Sequence, residues 1–278
     1  MSEIRTVEQP ARLLEFLRTA LAGWKRSTLE QRMRGGAVRV NGAVVRRNEL
    51  LSPGDRVEVG DRESVAAPAS GLAVLHQDEW LVAIHKPSGL LSVSTDSERE
   101  NTALAVVKEH VGRPGHPGRA WPVHRLDRET SGVLLFALSR DVQQIVQARW
   151  SAARKTYLAW VEGRPQPPEG TIDEPLWEDA SLFVRVGHRD GAKEARTRYR
   201  TLETREHHAL LEVELETGRR HQIRAHLAWL GHPIVGDERY GSRAPRMSLH
   251  ALRLELPHPV SGATLVLEAP PPRSFRAP

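Results

Sequence analysis

The sequence contains no cysteine, which excludes disulfides, thiolate metal sites and cysteine nucleophiles. No apolar run approaches the ~20 residues needed to span a bilayer. The first residues are polar and mixed in charge, unlike a signal peptide. There is no internal repeat and no His-Glu-x-x-His string. His221 and His226 stand at the wrong spacing for one helical face, so no metal site is expected. A soluble, cytoplasmic protein with no membrane partner is the expectation. What the chain does have is length and positive charge. Its 278 residues fit one large domain and one small one. Lys and Arg number 40 against 35 Asp and Glu, a balance that suits an anionic partner.

The excess charge sits at the start. Residues 1–60 hold eleven basic and seven acidic residues, a net of +4 in a chain of net +5. Leu13, Leu14, Leu17 and Leu21 recur at helical spacing. Ser27-Thr28-Leu29-Glu30 has the form of a capping box, opening a short helix that carries Arg32 and Arg34 and stops at Gly35-Gly36. Val38-Arg39-Val40 alternates as a strand, and Asn41-Gly42 is a strong two-residue hairpin turn. Pro53-Gly54-Asp55 forms a second turn before a strand through Val57 and Val59. The basic residues Lys25, Arg26, Arg32, Arg34 and Arg39 gather around the short helix. Residues 61–70 show no apolar periodicity and read as a linker.

The most informative stretch is His124-Arg125-Leu126-Asp127-Arg128-Glu129-Thr130-Ser131-Gly132, followed by an apolar run to Leu138 of buried-strand length. Opposite charge nearby keeps a carboxylate ionised. An ionised, positioned carboxylate can act as nucleophile toward a sugar carbon or as general base. Upstream, Trp80 to Ile84 reads as a buried strand running into a turn, Lys86-Pro87-Ser88-Gly89-Leu90. Thr102 to Val111 reads as a helix. Ser139 is a candidate N-cap for a helix with Val142, Ile145 and Val146 on its apolar stripe. Lys155 to Gly163 reads as a strand. Leu211, Val213 and Leu215 alternate with Glu212, Glu214 and Glu216, a half-buried strand with an acidic outer face. In Thr217 to Leu227 a strand gives way to a helix that buries Ile223, Leu227 and Leu230 and ends at Gly231 and Pro233. Helical spacing sets Arg220 and Arg224 one turn apart on the same side, a cationic helix start suited to an anion.

The string at 124–132 resembles the signature of the RluA-type pseudouridine synthases. Lys155 to Gly163 is similar to that family's second motif, and Thr217 to His226 to its third, departing at Arg220 and Ala225. Lys86 to Leu90 is similar to a turn that lies near the family's cleft. His232 to Asp237, Tyr240-Gly241 and Leu249 to Ala251 extend the likeness. The N-terminal pattern resembles the S-four-like RNA-binding module. The resemblance implies an α+β fold: a synthase domain (71–278) with a mixed, mostly antiparallel sheet and central cleft, preceded by a small α+β RNA-binding domain (1–60) and a linker (61–70). It implies isomerisation of uridine to pseudouridine in RNA with no cofactor. Asp127 inherits the catalytic role, Tyr157 lines the site, and Arg224, with Arg219 as second choice, pairs with the aspartate. Substrate contacts are expected from His124, Arg125, Arg128, Lys86, Arg219, Arg220 and His221, and phosphate contacts from Arg26, Arg34 and Arg39. Large-subunit rRNA is the expected substrate and tRNA the alternative. A monomer is expected. Two other functions fit parts of the pattern: a non-catalytic RNA-binding factor on the same fold, and a glycosidase that would release free uracil.

Overall fold

The computed structural model describes residues 3–21, 29, 33, 38–45, 48–59, 72–94, 102–112, 119–242, 244 and 246–275. Ser27 and Glu30 of the expected capping box, Arg26, Arg34 and the linker lie outside them. The chain divides into two compact units, and residues 3–59 and 72–275 are taken separately.

The first unit contains β1 (Glu3–Thr6), β2 (Ala11–Arg12), α1 (Leu13–Ala20), β3 (Val38–Val40), β4 (Ala43–Val44), β5 (Leu50–Leu51) and β6 (Arg56–Val59). Its sheet runs β1-β6-β3-β4, and β2 pairs with β5. The expected helical face of Leu13, Leu14, Leu17 and Leu21 is buried with Leu29, Met33, Val38 and Val57. No side chain of the preceding residue caps α1; Asn48 Oδ1, from far along the chain, accepts the Leu14 N–H at 2.9 Å. Asn41 and Gly42 both take positive φ, 53° and 83°, the geometry a tight hairpin needs.

The second unit is built on one large sheet. Its elements are β7 (Ala73–Gln77), β8 (Leu81–Lys86), α2 (Ala103–Val111), β9 (Trp121–Pro122), β10 (Ser131–Ala137), α3 (Arg140–Ala148), β11 (Arg154–Glu162), β12 (Glu169–Asp173), β13 (Leu176–Glu178), β14 (Val184–Val186), β15 (Arg196–Thr204), β16 (His208–Leu215), α4 (Gln222–Trp229), β17 (Leu249–Pro257) and β18 (Thr264–Glu268). The sheet order is β12-β15-β16-β11-β17-β10-β8-β7, with β18 on β17 and β9 on β10. The β10–β17 pair is parallel and the other pairings in this sheet are antiparallel.

Alternation of side chains splits β8 and β10 between two cores. Leu81, Ala83, Val133 and Leu135 pack with Val142 and Val146 of α3. Val82, Ile84, Leu134 and Phe136 pack with Ala103 and Val107 of α2. Both helices have a side-chain N-cap, Thr102 and the expected Ser139. Ile145, expected in the buried stripe of α3, is instead 39% exposed. In the other half of the sheet, Ile223 and Leu227 of α4 lie on Val161, Leu211 and Val213. The acidic face of β16 is not bare. Arg154, Arg200 and Arg198 pair with Glu214, Glu212 and Glu216 at 2.5, 2.8 and 2.6 Å. Each exposed pair contributes little alone.

Candidate active site

Asp127 is carried on a turn directly before β10, closed by Thr130 N–H donating to Asp127 O at 3.2 Å. Gly132 explains why the turn ends where it does. Its φ is +117°, and a Cβ there would lie 2.1 Å from Ala251 O, because β10 meets β17 in parallel at this residue. The turn is fastened from outside by residues 86–92. Gly89 N–H donates to Arg128 O at 2.8 Å, Ser88 Oγ to Glu129 O at 2.6 Å and Ser92 Oγ to Leu126 O at 2.7 Å. Lys86 completes the clamp. It has no exposed surface, and its Nζ donates to Pro87 O, Leu90 O and Arg128 O at 3.0, 2.7 and 3.0 Å. Burial pulls its pKa down to about 8, against the opposing pull of Glu129 and Asp127. The expectation that Lys86 binds RNA is corrected: its three donors are committed to backbone carbonyls.

The facing wall is the start of α4. Gln222 folds back to fix the preceding loop, its Oε1 accepting from Arg219 N–H and Thr217 Oγ1, each at 2.9 Å. Arg224 follows, 6% exposed. Its Nη1 donates to Asp127 Oδ2 at 2.9 Å, while Nε and Nη2 donate to Asp237 Oδ2 and Oδ1 at 2.7 and 2.8 Å. Burial works against the guanidinium's charge, but Asp237 and then Asp127 outweigh it and hold the pKa above the usual arginine value. Asp237 is fully buried and accepts the N–H groups of Arg239 and Tyr240 at 3.1 and 3.3 Å. His221 Nε2 lies 3.8 Å from Asp127 Oδ2, and its Nδ1 lies 3.0 Å from the Tyr240 hydroxyl. Burial lowers the His221 pKa to about 4; Asp127 pulls it up, and Arg224 and Arg220 push it down. The ring is neutral at pH 7.

Asp127, Tyr157, Thr130, Arg125, Arg219 and His221 line one small cleft of about 80 Å³ with Arg224. Asp127 keeps 22% of its side chain exposed there. Burial, then the charge of Asp127, raises the Tyr157 pKa well above the usual phenol range. A phenol held neutral offers a flat apolar face and a donor, but it is a poor base. A larger concavity, about 970 Å³, lies elsewhere, against Asp173, Arg196 and Glu216. Among the described residues no group of three or more His, Asp or Glu side chains is placed to hold a metal ion. No described helix is long and apolar enough to cross a membrane.

The structure thus brings Asp127, Tyr157, Arg224, Arg125, Arg219 and His221 together. The cation bonded to Asp127 is Arg224, 97 residues away, not the flanking arginines that the sequence sets beside it. Arg128 is exposed and donates to Gly89 O at 3.0 Å, bracing the turn. His124 is corrected from an RNA contact to a structural residue. Its Nε2 accepts the Leu135 N–H at 3.1 Å, its ring stacks on Trp150, and burial followed by Lys155 lowers its pKa to about 4. Arg220 does not share a face with Arg224. It precedes α4 and pairs with Glu178 at 3.0 Å. In the first unit Arg39 donates to Gly42 O at 3.0 Å. Sequence reasoning gave no role to Asp237 or Tyr240. The signal available was Gly236-Asp237-x-x-Tyr240-Gly241, an acid beside a glycine whose Cβ would lie 2.0 Å from Arg246 O.

Known proteins carry the same organisation. Residues 80–229 match the family described as RNA pseudouridylate synthase, and residues 11–57 match the S4 domain. Ribosomal large subunit pseudouridine synthase D of Nitrosomonas europaea is 34% identical over 285 residues, covering 96% of this chain and 83% of that protein. tRNA pseudouridine synthase C of Salmonella typhimurium is 35% identical over 226 residues, 71% of this chain and 85% of that protein. Among solved structures, human RNA pseudouridylate synthase domain containing 4 aligns with a TM-score of 0.61 and 28% identity, covering 73% of this chain and 90% of that one. With its mixed, mostly antiparallel sheet and the S4 domain before it, the chain belongs to the RNA pseudouridylate synthase family, whose activity is an isomerisation.

Proposed function

We propose that this isomerase converts a uridine of large-subunit rRNA to pseudouridine, with Asp127 as its catalytic carboxylate. The observation that carries the assignment is the 2.9 Å bond from Arg224 to Asp127 in the cleft that Tyr157 lines. The reaction breaks the bond from C1′ to N1, turns the uracil, joins C1′ to C5, releases the proton from C5 and places a proton on the freed N1. Product and substrate are isomers, and no group is gained or lost. Asp127, its charge matched by Arg224, either attacks C1′ or removes the proton on the neighbouring sugar carbon. The glycosidic carbon of a stacked uridine is hidden, so the nucleotide is extruded into the cleft at a cost of about a few kcal/mol. Stacking on Tyr157 offsets part of that cost. Arg125 fills the space the base leaves, and Arg128 and Arg219 hold phosphate.

Support for rRNA comes from the relative named for the large ribosomal subunit, which aligns with nearly the whole chain, S4 domain included. The relative named for tRNA aligns with 71% of it. Residues 1–60 then grip RNA phosphates through Arg26, Arg34 and Arg39, contacts that position RNA without reading its sequence. Residues 71–278 do the chemistry, and 61–70 connect the two.

The test is Asp127→Asn assayed by tritium release from RNA labelled at uridine C5. Turnover drops by at least about a hundredfold if Asp127 carries the chemistry; retained turnover overturns the assignment. Mapping pseudouridines in RNA from cells with and without the protein identifies the uridine. A difference confined to tRNA would replace rRNA with the alternative.

A further inference from the structure

Next to the Asp127 cleft lies a second groove of about 400 Å³, lined by Trp177, Glu178, Lys193, Arg219 and Arg220 among others. Arg219 lines both, so one opens beside the other. The groove's frame is held by backbone pairing. The β13 and β14 hairpin pairs Leu176 with Val186, and Leu176 is tied a second time to Lys193 by reciprocal backbone bonds of 2.9 and 2.8 Å. Trp177, half-buried, stands on this frame with the Arg189 guanidinium 4.3 Å from its ring centroid.

The groove's charges differ from those along β15. On the exposed side of β15, Arg196, Arg198 and Arg200 each meet a carboxylate. In the groove three cations face one carboxylate, Glu178, which is taken by Arg220. Among the described residues Lys193 has no ion-pair or hydrogen-bond partner for its ammonium. Among the described residues Arg219 makes one side-chain bond, Nε to Glu194 O at 3.0 Å, leaving its outer nitrogens for another partner.

An aromatic plane beside uncompensated cations, in a groove that continues the catalytic cleft, is what single-stranded nucleic acid binds: bases stack on the ring and phosphates meet the cations. We propose that this groove is a subsite for a nucleotide neighbouring the target uridine, its base stacked on Trp177 and its phosphate held by Lys193 and Arg219. The proposal rests on the reading that the target uridine enters at Asp127. It adds a determinant of which uridines are modified, because the neighbour must be unstacked and within reach of Trp177.

The test uses RNA labelled with tritium at uridine C5, isolated from cells lacking the protein, and the full-length enzyme. Initial rates are measured against RNA concentration for wild type, Trp177→Ala, Trp177→Phe and Lys193→Gln. Loss of a stacked base costs roughly 5- to 150-fold in affinity. Trp177→Ala therefore raises KM by that factor and kcat changes far less, while Trp177→Phe restores most of the lost affinity. Lys193→Gln raises KM and lowers the salt slope of binding by about one. KM within about twofold of wild type for both Trp177→Ala and Lys193→Gln overturns the subsite. If Trp177→Ala does not fold, the Lys193→Gln slope decides. If wild type itself releases no tritium, the reading at Asp127 has failed and the subsite falls with it.

Discussion

Arg224 divides its guanidinium between two acids, one nitrogen at 2.9 Å from Asp127 and two at 2.7 and 2.8 Å from Asp237. The fork on Asp237 fixes the plane of the guanidinium. The remaining nitrogen then has one direction to point, which sets where the Asp127 carboxylate rests. The 22% exposed Asp127 faces the cleft, whereas Asp237 faces packed protein. One acid holds the cation and the other is held by it.

Removing the arginine strands the buried Asp237. Arg224→Ala is expected to cost about 3–5 kcal/mol in urea unfolding, the range for breaking one side of a buried pair. Asp237→Asn costs less, because the amide still accepts from Arg224. The double variant is less destabilised than the sum of the singles, since neither charge is left alone. Arg224→Lys keeps a charge but not the fork, so kcat drops more than stability. Additive losses in the cycle would show that the two side chains do not work as a unit.

Tyr157 is held as a neutral phenol by burial and by Asp127. Tyr157→Phe therefore keeps kcat within about threefold, since the ring face remains. Tyr157→Ala loses about 1–3 kcal/mol of stacking. The wild-type pH–rate profile should show no limb from this residue between pH 7 and 9. A collapse of kcat in Tyr157→Phe would assign the hydroxyl a part in proton transfer.

Much of this was legible in the sequence, and the failures share one cause. The apolar run after Ser131 gave β10, Asn41-Gly42 gave its hairpin, and Ser139 gave a helix cap, because each signal is local. The partners of Asp127 are not local. Arg128 adjoins it in the chain, yet its side chain turns to Gly89 O, and Arg224, named only through the family resemblance, arrives from a different element. Arg220 was set one helical turn from Arg224, but His221 takes a left-handed φ of 51° and the helix starts after it. Lys86 reads as a loop charge until the carbonyls around it are seen. Asp237 had no partner in sequence to suggest its burial.

Acid should weaken the fold in a defined window. His124, His221 and His250 have pKa values drawn down to about 4, burial being the largest cause in each. Histidine in an unfolded chain titrates near 6.5. Between about pH 6.5 and 4 the unfolded chain takes up protons that the folded one refuses, so stability falls as pH falls through that range and is level above it. The slope reaches at most about 1.4 kcal/mol per pH unit for each group. Urea midpoints at pH 7 and pH 5 measure the drop. His124→Gln, whose amide oxygen can accept the Leu135 N–H, should shrink it with little loss at pH 7. An unchanged drop would mean that His124 titrates normally.

Lys86 tests whether the catalytic turn needs its clamp. Its ammonium is the shared donor for Pro87 O, Leu90 O and Arg128 O, and Arg128 adjoins Asp127. Lys86→Met fills similar space without a donor and leaves Pro87 O and Leu90 O unpaired in a buried spot, while Arg128 O keeps the Gly89 N–H. Each such group costs about 1–3 kcal/mol, while relief of the buried charge returns part of it, so the net loss is expected near 2 kcal/mol. The larger effect falls on chemistry. A turn loosened at Arg128, whose carbonyl keeps one of its two donors, lets Asp127 drift from Arg224, and kcat drops about tenfold or more while KM, set by contacts elsewhere, holds. Loss of RNA affinity with kcat intact would be the opposite pattern, that of a lysine binding substrate directly. The geometry excludes it, because no donor of Lys86 is left over to reach one.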